Sequence, residues 1–181
     1  MKRLVAGLVL AALAVLPANA ALKVGAKAPD FAAPAYLAGA PFTYRLNEAL
    51  KKGPVVLYFF PSAHTKGCNI EAHLFSEAAD SFKAQGASVV GVTAGKVDEL
   101  AAFSKETEHC GGKFPVAADP GLKIAKSYDA LFGPLMPVSN RTSYVIAPDG
   151  SVLHAYSALA PDRHVDETLG AVKAWRAKHP K

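Results

Sequence analysis

The residues best suited to chemistry lie within one octet, Pro61-Ser62-Ala63-His64-Thr65-Lys66-Gly67-Cys68. It joins two different patterns. Val55 to Phe60 is an unbroken apolar run, which suits a strand buried on both faces. Beyond the octet Ile70, Leu74, Ala78 and Phe82 recur every four residues, with Glu71, Glu77, Asp80 and Lys83 elsewhere, as in an amphipathic helix. Cys68 therefore falls in or just before a first helical turn, where free backbone N–H groups converge and negative charge is favoured. A cysteine so placed is a candidate reactive thiolate. Thr65-x-x-Cys68 also has the spacing of a capping box, which predicts a hydroxyl at the N-cap and a sulfur at N3 facing one small space. The plainer alternative is a buried cysteine serving as a small hydrophobe beside a threonine that merely caps. Gly67 and the polar turn argue against deep apolar burial.

The octet and three later stretches resemble a known family. Pro61-x-x-x-Thr65-x-x-Cys68 is similar to the peroxiredoxin active-site pattern Pro-x-x-x-Thr-x-x-Cys, and Glu71 follows as in the Q-type, bacterioferritin-comigratory subgroup. The APDFAAPA stretch near the start, FPVAADP at Phe114 to Pro120, and NRTSYVIAPDG at Asn140 to Gly150 extend the likeness over about Val24 to Trp175. The resemblance implies an α/β, thioredoxin-like fold of the alkyl hydroperoxide reductase–thiol-specific antioxidant family. It implies a thiol peroxidase that reduces hydrogen peroxide and organic hydroperoxides through a sulfenic acid at Cys68, without a cofactor or metal. A thioredoxin-like or low-molecular-weight thiol would recycle it, and the chain is expected to be a monomer or weak dimer.

Energetics says what such a site needs. An unperturbed thiol, with a pKa of about 8.5, is only roughly 3% thiolate at neutral pH. Bringing a thiol to about 6 takes roughly 3.4 kcal/mol at about 1.36 per unit. A helix N-terminus supplies about 0.3 to 2, so a second positive group is required. The resemblance assigns that place to Arg141, just ahead of the strand expected at Thr142 to Ala147. Full ionisation adds at most about 30-fold in rate, whereas enzymes commonly gain a million-fold or more. The rest must come from orienting the peroxide and stabilising the departing oxygen, for which Thr65, Arg141 and the N–H groups near Lys66 to Cys68 are the candidates. Pro61 is expected to shield the pocket and shape the turn.

Only two cysteines are present, Cys68 and Cys110, with no C-x-x-C pair, which disfavours a disulfide oxidoreductase and cysteine-paired zinc sites. In the resembling subgroup a resolving cysteine often lies five residues after the peroxidatic one, and here His73 stands there. Cys110 is the remaining intramolecular partner, as in relatives with a distant cysteine in the next helix; the alternative is a one-cysteine enzyme. The six histidines, His64, His73, His109, His154, His164 and His179, put no ligand pair on one expected helix face, so no metal site is assigned and His64 reads as a pocket-rim residue. A competing reading from another class is a secreted copper-carrying module that uses Cys68, Cys110 and a histidine, which leaves Pro61, Thr65 and Arg141 without a role.

Residues 1–20 carry basic Lys2 and Arg3, an apolar core from Leu4 to Leu16, and Ala18-Asn19-Ala20. This is the pattern of a cleaved secretory signal peptide, too short to span a bilayer core of about 30 Å. It predicts a periplasmic or secreted mature domain over 21–181, without stable membrane insertion. Without Lys2 and Arg3 the mature chain has 18 basic against 15 acidic residues, net +3, and no basic stripe, so no nucleic-acid partner is expected.

The elements that must position the site follow in order. Gly25, Pro29 and Pro34 argue against regular structure over Lys23 to Pro34, and Phe42 to Leu46 is a short strand. Asn47 to Lys52 is a connector. Ser88 to Thr93 is a second buried strand, and Val97 to His109 a helix ended by Gly111-Gly112. Phe114 to Ala117 is a third strand, Pro120 to Tyr128 a short helix, and Leu131 to Asn140 a loop. Thr142 to Ala147 and Ser151 to Tyr156 form a hairpin about Pro148-Asp149-Gly150. A helix over Pro161 to Lys178 closes the chain. Alternating strands and helices with a terminal hairpin predict a mixed sheet flanked by helices.

Overall fold

The structure is a computed structural model that describes residues 21–133 and 135–180; the segment read as a signal peptide lies outside the described residues. Two apolar strands, β3 (Val55–Phe59) and β4 (Ser88–Thr93), form the centre of a seven-stranded sheet, paired in parallel with Val55 opposite Ser88 and Phe59 opposite Val92. Each strand is covered on both faces, so the side-chain alternation of β3 feeds two cores. Val55, Leu57 and Phe59 enter one, and Val56 and Tyr58 enter the other.

β5 (Val116–Ala118) extends the parallel set beside β4, while β8 (Thr142–Ile146) runs antiparallel on the other side of β3, with Thr142 opposite Phe59. β9 (Val152–Ser157) pairs with β8 across the Pro148-Asp149-Gly150 turn, where Gly150 has φ 82°. β1 (Ala32–Leu37) and β2 (Ala40–Arg45) complete the order β2-β1-β5-β4-β3-β8-β9. Helices α2 (Lys66–Ala84), α3 (Leu100–Lys105) and α5 (His164–Lys178) contribute to the Tyr58 core; α1 (Leu46–Leu50) and α4 (Lys123–Ser127) contribute to the Phe59 core. This is the expected α/β class, a central mixed sheet flanked by helices.

Several local expectations are corrected. Pro34 does not exclude a strand: it sits inside β1, opposite Thr43 of β2, and β5 takes up pairing on the other side only at Ala35, so no ladder donor is missed there. The connector after β2 is helix α1. The helix expected over Val97 to His109 is a 3-10 turn, Val97–Glu99, followed by α3, which ends when Glu106 turns extended at ψ 131°. Cys110 therefore lies in a turn beyond the helix. The helix expected from Pro120 narrows to α4, because Asp119 Oδ2 accepts from Ala125 N at 2.9 Å and Leu122 turns left-handed first. The loop expected at Leu131 to Asn140 contains a small separate hairpin, β6 (Leu131–Gly133) with β7 (Met136–Ser139). Among the described residues no helix is long and apolar enough to cross a membrane.

Tyr58 sets a tight packing constraint in the second core. Its ring stacks on Phe75 with centroids 4.5 Å apart and on Phe60 at 5.4 Å. A Cβ added at Gly91 on the neighbouring strand would come within 2.8 Å of that ring. Gly91→Ala should lower stability by about 1–3 kcal/mol through overpacking. The check is urea unfolding, where the midpoint should fall with an unchanged slope.

Candidate active site

Strand β3 ends at Phe59, and Phe60 and Pro61 lead into the turn that opens α2. The turn is tied to the next strand: Thr93 Oγ1 donates to the Pro61 carbonyl at 3.2 Å, and Ser62 bridges to Gly95. Thr65 is the N-cap of α2, which places Cys68 at N3 as its spacing predicts. The capping box itself does not form. The Thr65 hydroxyl turns back and donates to the Ser62 carbonyl at 3.0 Å, and no side chain caps the helix. Thr65 is exposed, whereas Cys68 is 1% exposed, deeper than the polar turn suggested.

That burial is not purely apolar, because Arg141 enters the same space from the residue preceding β8. Each of its three guanidinium nitrogens makes one directed contact. Nε donates to the Leu159 carbonyl at 2.8 Å, Nη1 donates to Glu71 Oε2, and Nη2 points at Cys68 Sγ from 3.5 Å. Gly67 makes room for it: a Cβ there would meet Nη2 at 3.0 Å. Burial works against the arginine's charge, but Glu71 and Cys68 outweigh it and hold its pKa above the ordinary value.

Glu71 had been placed with the polar positions of its helix, yet it is completely buried. It lies one turn past Cys68, and i, i+3 spacing puts both on one helix face. That spacing was the available signal. Behind it stands His164, also completely buried, whose role no sequence signal indicated. His164 Nε2 meets the Ala158 carbonyl at 2.9 Å and must carry the proton; Nδ1 therefore accepts, from Ser143 Oγ at 2.8 Å, and faces Glu71 Oε1 at 3.5 Å. Burial depresses His164 to about 4. On Glu71 burial and the guanidinium pull in opposite directions, and burial wins, pushing the carboxyl up to about 8.

Cys110 is fully buried in the same core as Cys68, and both thiols are free. Its thiol is pushed well up by burial, with a smaller contribution from Glu106. Desolvation therefore keeps it protonated. Gly111 and Gly112 beside it have φ 57° and 70°, and Gly111 packs against Ser76. Ser76 is eight residues past Cys68, about 12 Å along the helix axis. The copper-carrier reading loses its ligand set: among the described residues neither cysteine belongs to a group of three potential metal ligands.

The two buried titrating groups give opposite pH signatures. His164 is depressed from 6.5 to about 4, so its contribution to stability is intact above about 6.5 and lost as pH falls toward about 4. Glu71 is raised from 4.5 to about 8, so the folded chain holds its proton longer and stability declines as pH climbs through that interval. Above about pH 6.5 only Glu71 of the two still titrates. Urea midpoints should therefore decline from about pH 6.5 to 8, and Glu71→Gln should remove most of that decline.

The match to known proteins covers the same scaffold. The AhpC/TSA family model matches residues 24–155. The chain is 34% identical over 140 residues to the chloroplastic peroxiredoxin Q of Sedum lineare, covering 71% of this chain and 72% of the relative. The crystal structure of peroxidoxin BcpB from Mycobacterium tuberculosis superposes with a TM-score of 0.75 at 31% identity, covering 84% of this chain and 97% of that one. The reduced 2-Cys peroxiredoxin of Plasmodium vivax does so with a TM-score of 0.76 at 26% identity, covering 87% and 99%. With a thioredoxin-like sheet, a cysteine in the first turn of its central helix and a family match over most of its length, the chain belongs to the AhpC/TSA family and is a peroxiredoxin.

Proposed function

We propose that this peroxiredoxin is exported and reduces hydrogen peroxide and organic hydroperoxides at Cys68, with Arg141 as the electrostatic partner and Cys110 as the resolving thiol. The observation that carries the reading is the Arg141 fork: two nitrogens are anchored by Leu159 and Glu71, and the third is aimed at the sulfur. The Cys68 thiolate attacks one peroxide oxygen, the O–O bond breaks, and the departing oxygen takes a proton to leave as water or an alcohol. Cys68 retains the other oxygen as sulfenic acid. Arg141 and the free N–H groups at the start of α2 offset charge on the departing oxygen. Because the Thr65 hydroxyl hydrogen is committed to Ser62, its oxygen is left to accept a hydrogen bond from the peroxide. Pro61, anchored by Thr93, shapes and shields the turn.

Cys68→Ser should abolish peroxide consumption while the circular dichroism stays native, since a serine hydroxyl cannot replace a thiolate. Arg141→Lys keeps the charge but loses the fork; it should slow peroxide reduction by about 100-fold, the scale of one lost transition-state donor. Stopped-flow peroxide kinetics measure both, and turnover persisting in Cys68→Ser would sink the assignment.

For recycling, Cys110–SH and Cys68–SOH condense to a disulfide and water, and a thioredoxin-like or small-thiol reductant restores both thiols. A disulfide needs Cα atoms within roughly 7 Å. With Gly111 packed against Ser76, the first turn of α2 must open and the Cys110 loop must swing toward it, a movement its two glycines permit. Intact mass after one equivalent of peroxide should show a monomer two mass units lighter with both thiols lost together. Cys110→Ser should instead stop at sulfenic acid and build up sulfinic acid under excess peroxide. Accumulation of oxidised Cys68 in the wild type with Cys110 still alkylatable would make it a one-cysteine enzyme. The N-terminal pattern supports export, and cell fractionation tests it.

A further inference from the structure

One cluster of ligating side chains lies outside this chemistry and between its two cysteine-bearing segments. His64, in the active-site turn, meets Glu106 and His109, both just ahead of Cys110. One ligand atom from each lies within 4.8 Å of the others. Glu106 Oε2 stands 2.8 Å from His109 Nδ1 and 3.8 Å from His64 Nδ1. His109 is 9% exposed, its ring stacked on Phe103 at 4.8 Å, and its Nδ1 makes no hydrogen bond of acceptable geometry. His64 is held at φ 54°, a left-handed conformation a non-glycine residue adopts at a cost. Its ring packs edge-on against both Phe103 and His109. Behind His64, Glu99 Oε2 lies 3.6 Å from Nε2.

We propose that His64, Glu106 and His109 form a binding site for a divalent transition-metal ion of the zinc class, which pins the active-site turn to the Cys110 loop. Two imidazole nitrogens and one carboxylate oxygen, with a fourth position left to water, form a donor set zinc accepts. An ion with bonds of about 2.0–2.2 Å holds tetrahedral ligands about 3.4 Å apart, so Glu106 and His109 ease apart from 2.8 Å while His64 closes in from 3.8 Å. Glu99 supplies the carboxylate that orients a ligating imidazole through its other nitrogen. The ion neutralises a carboxylate held between two imidazoles and gives the buried His109 nitrogen a partner. By joining residue 64 to residues 106 and 109, it opposes separation of the two segments. Its effect on recycling rests on the two-cysteine reading above, whereas binding of the ion does not.

The test uses the full mature chain carrying Cys68→Ser, which removes the reactive thiol as a competing ligand and needs no peroxidase activity. Titration with zinc against a chromophoric chelator should give one ion per chain. His109→Ala and the milder Glu106→Gln should each weaken binding by at least about tenfold, and Glu99→Gln by about tenfold. Zinc should slow amide hydrogen exchange at both residues 62–66 and 106–112 in the parent and not in Glu106→Gln. Absence of stoichiometric binding, or unchanged affinity in Glu106→Gln and His64→Ala, overturns the site. Binding that protects only one of the two segments overturns the clamp.

Discussion

The site depends on one guanidinium whose three nitrogens each have a directed partner. Arg141 comes from the start of an antiparallel strand, Cys68 and Glu71 from the helix after the neighbouring strand, and Leu159 from the loop before α5. Because Leu159 and Glu71 each hold one corner, the nitrogen facing the sulfur is positioned without the sulfur's help. A lysine offers no such rigidity, since its ammonium is a point charge on a flexible stem. The buried glutamic acid is the counterpart of that rigidity. It anchors the arginine beside the thiol, while burial pushes its own pKa up and the guanidinium opposes that shift.

The sheet order makes this meeting possible. β8 lies antiparallel beside β3 with Thr142 opposite Phe59, so the residue before β8 reaches the end of β3, where the chain turns into α2. The same arrangement brings His164, at the head of α5, under Glu71, with Ser143 of β8 completing the contact. Three elements far apart in sequence thus share one buried polar line. Each polar atom in it costs desolvation unless paired, so the line tolerates few substitutions in any one member.

The two cysteines share a core but not an environment. Cys68 has an arginine and open helix N–H groups; Cys110 has aromatic neighbours and burial. This asymmetry suits a division of labour in which one thiol attacks peroxide and the other waits. It also gives the segments carrying them a shared importance, and the His64, Glu106 and His109 cluster spans that pair of segments.

Much of this was legible in the sequence because local patterns act locally. Six apolar residues ending at a proline, then a four-residue periodicity, specify a buried strand, a turn and a helix whose third residue is Cys68, whatever the rest of the chain does. The terminal hairpin was equally readable from Pro148-Asp149-Gly150. Misjudged features were those in which a distant partner overrides local preference. Pro34 is acceptable in β1 because of where β5 begins to pair; Thr65 is the exception, its hydroxyl taken by the Ser62 carbonyl only three residues back rather than by the helix. Glu71 reads as a solvated helix residue until Arg141, seventy positions later, supplies its hydrogen-bond partner in the core. His164 has no sequence signature, because its role arises only from the packing of α5 against β8 and α2. Arg141 itself was marked by family resemblance and not by residue type or spacing. Only the tertiary structure decides which charges can be buried, since desolvation is local but the group that offsets it need not be.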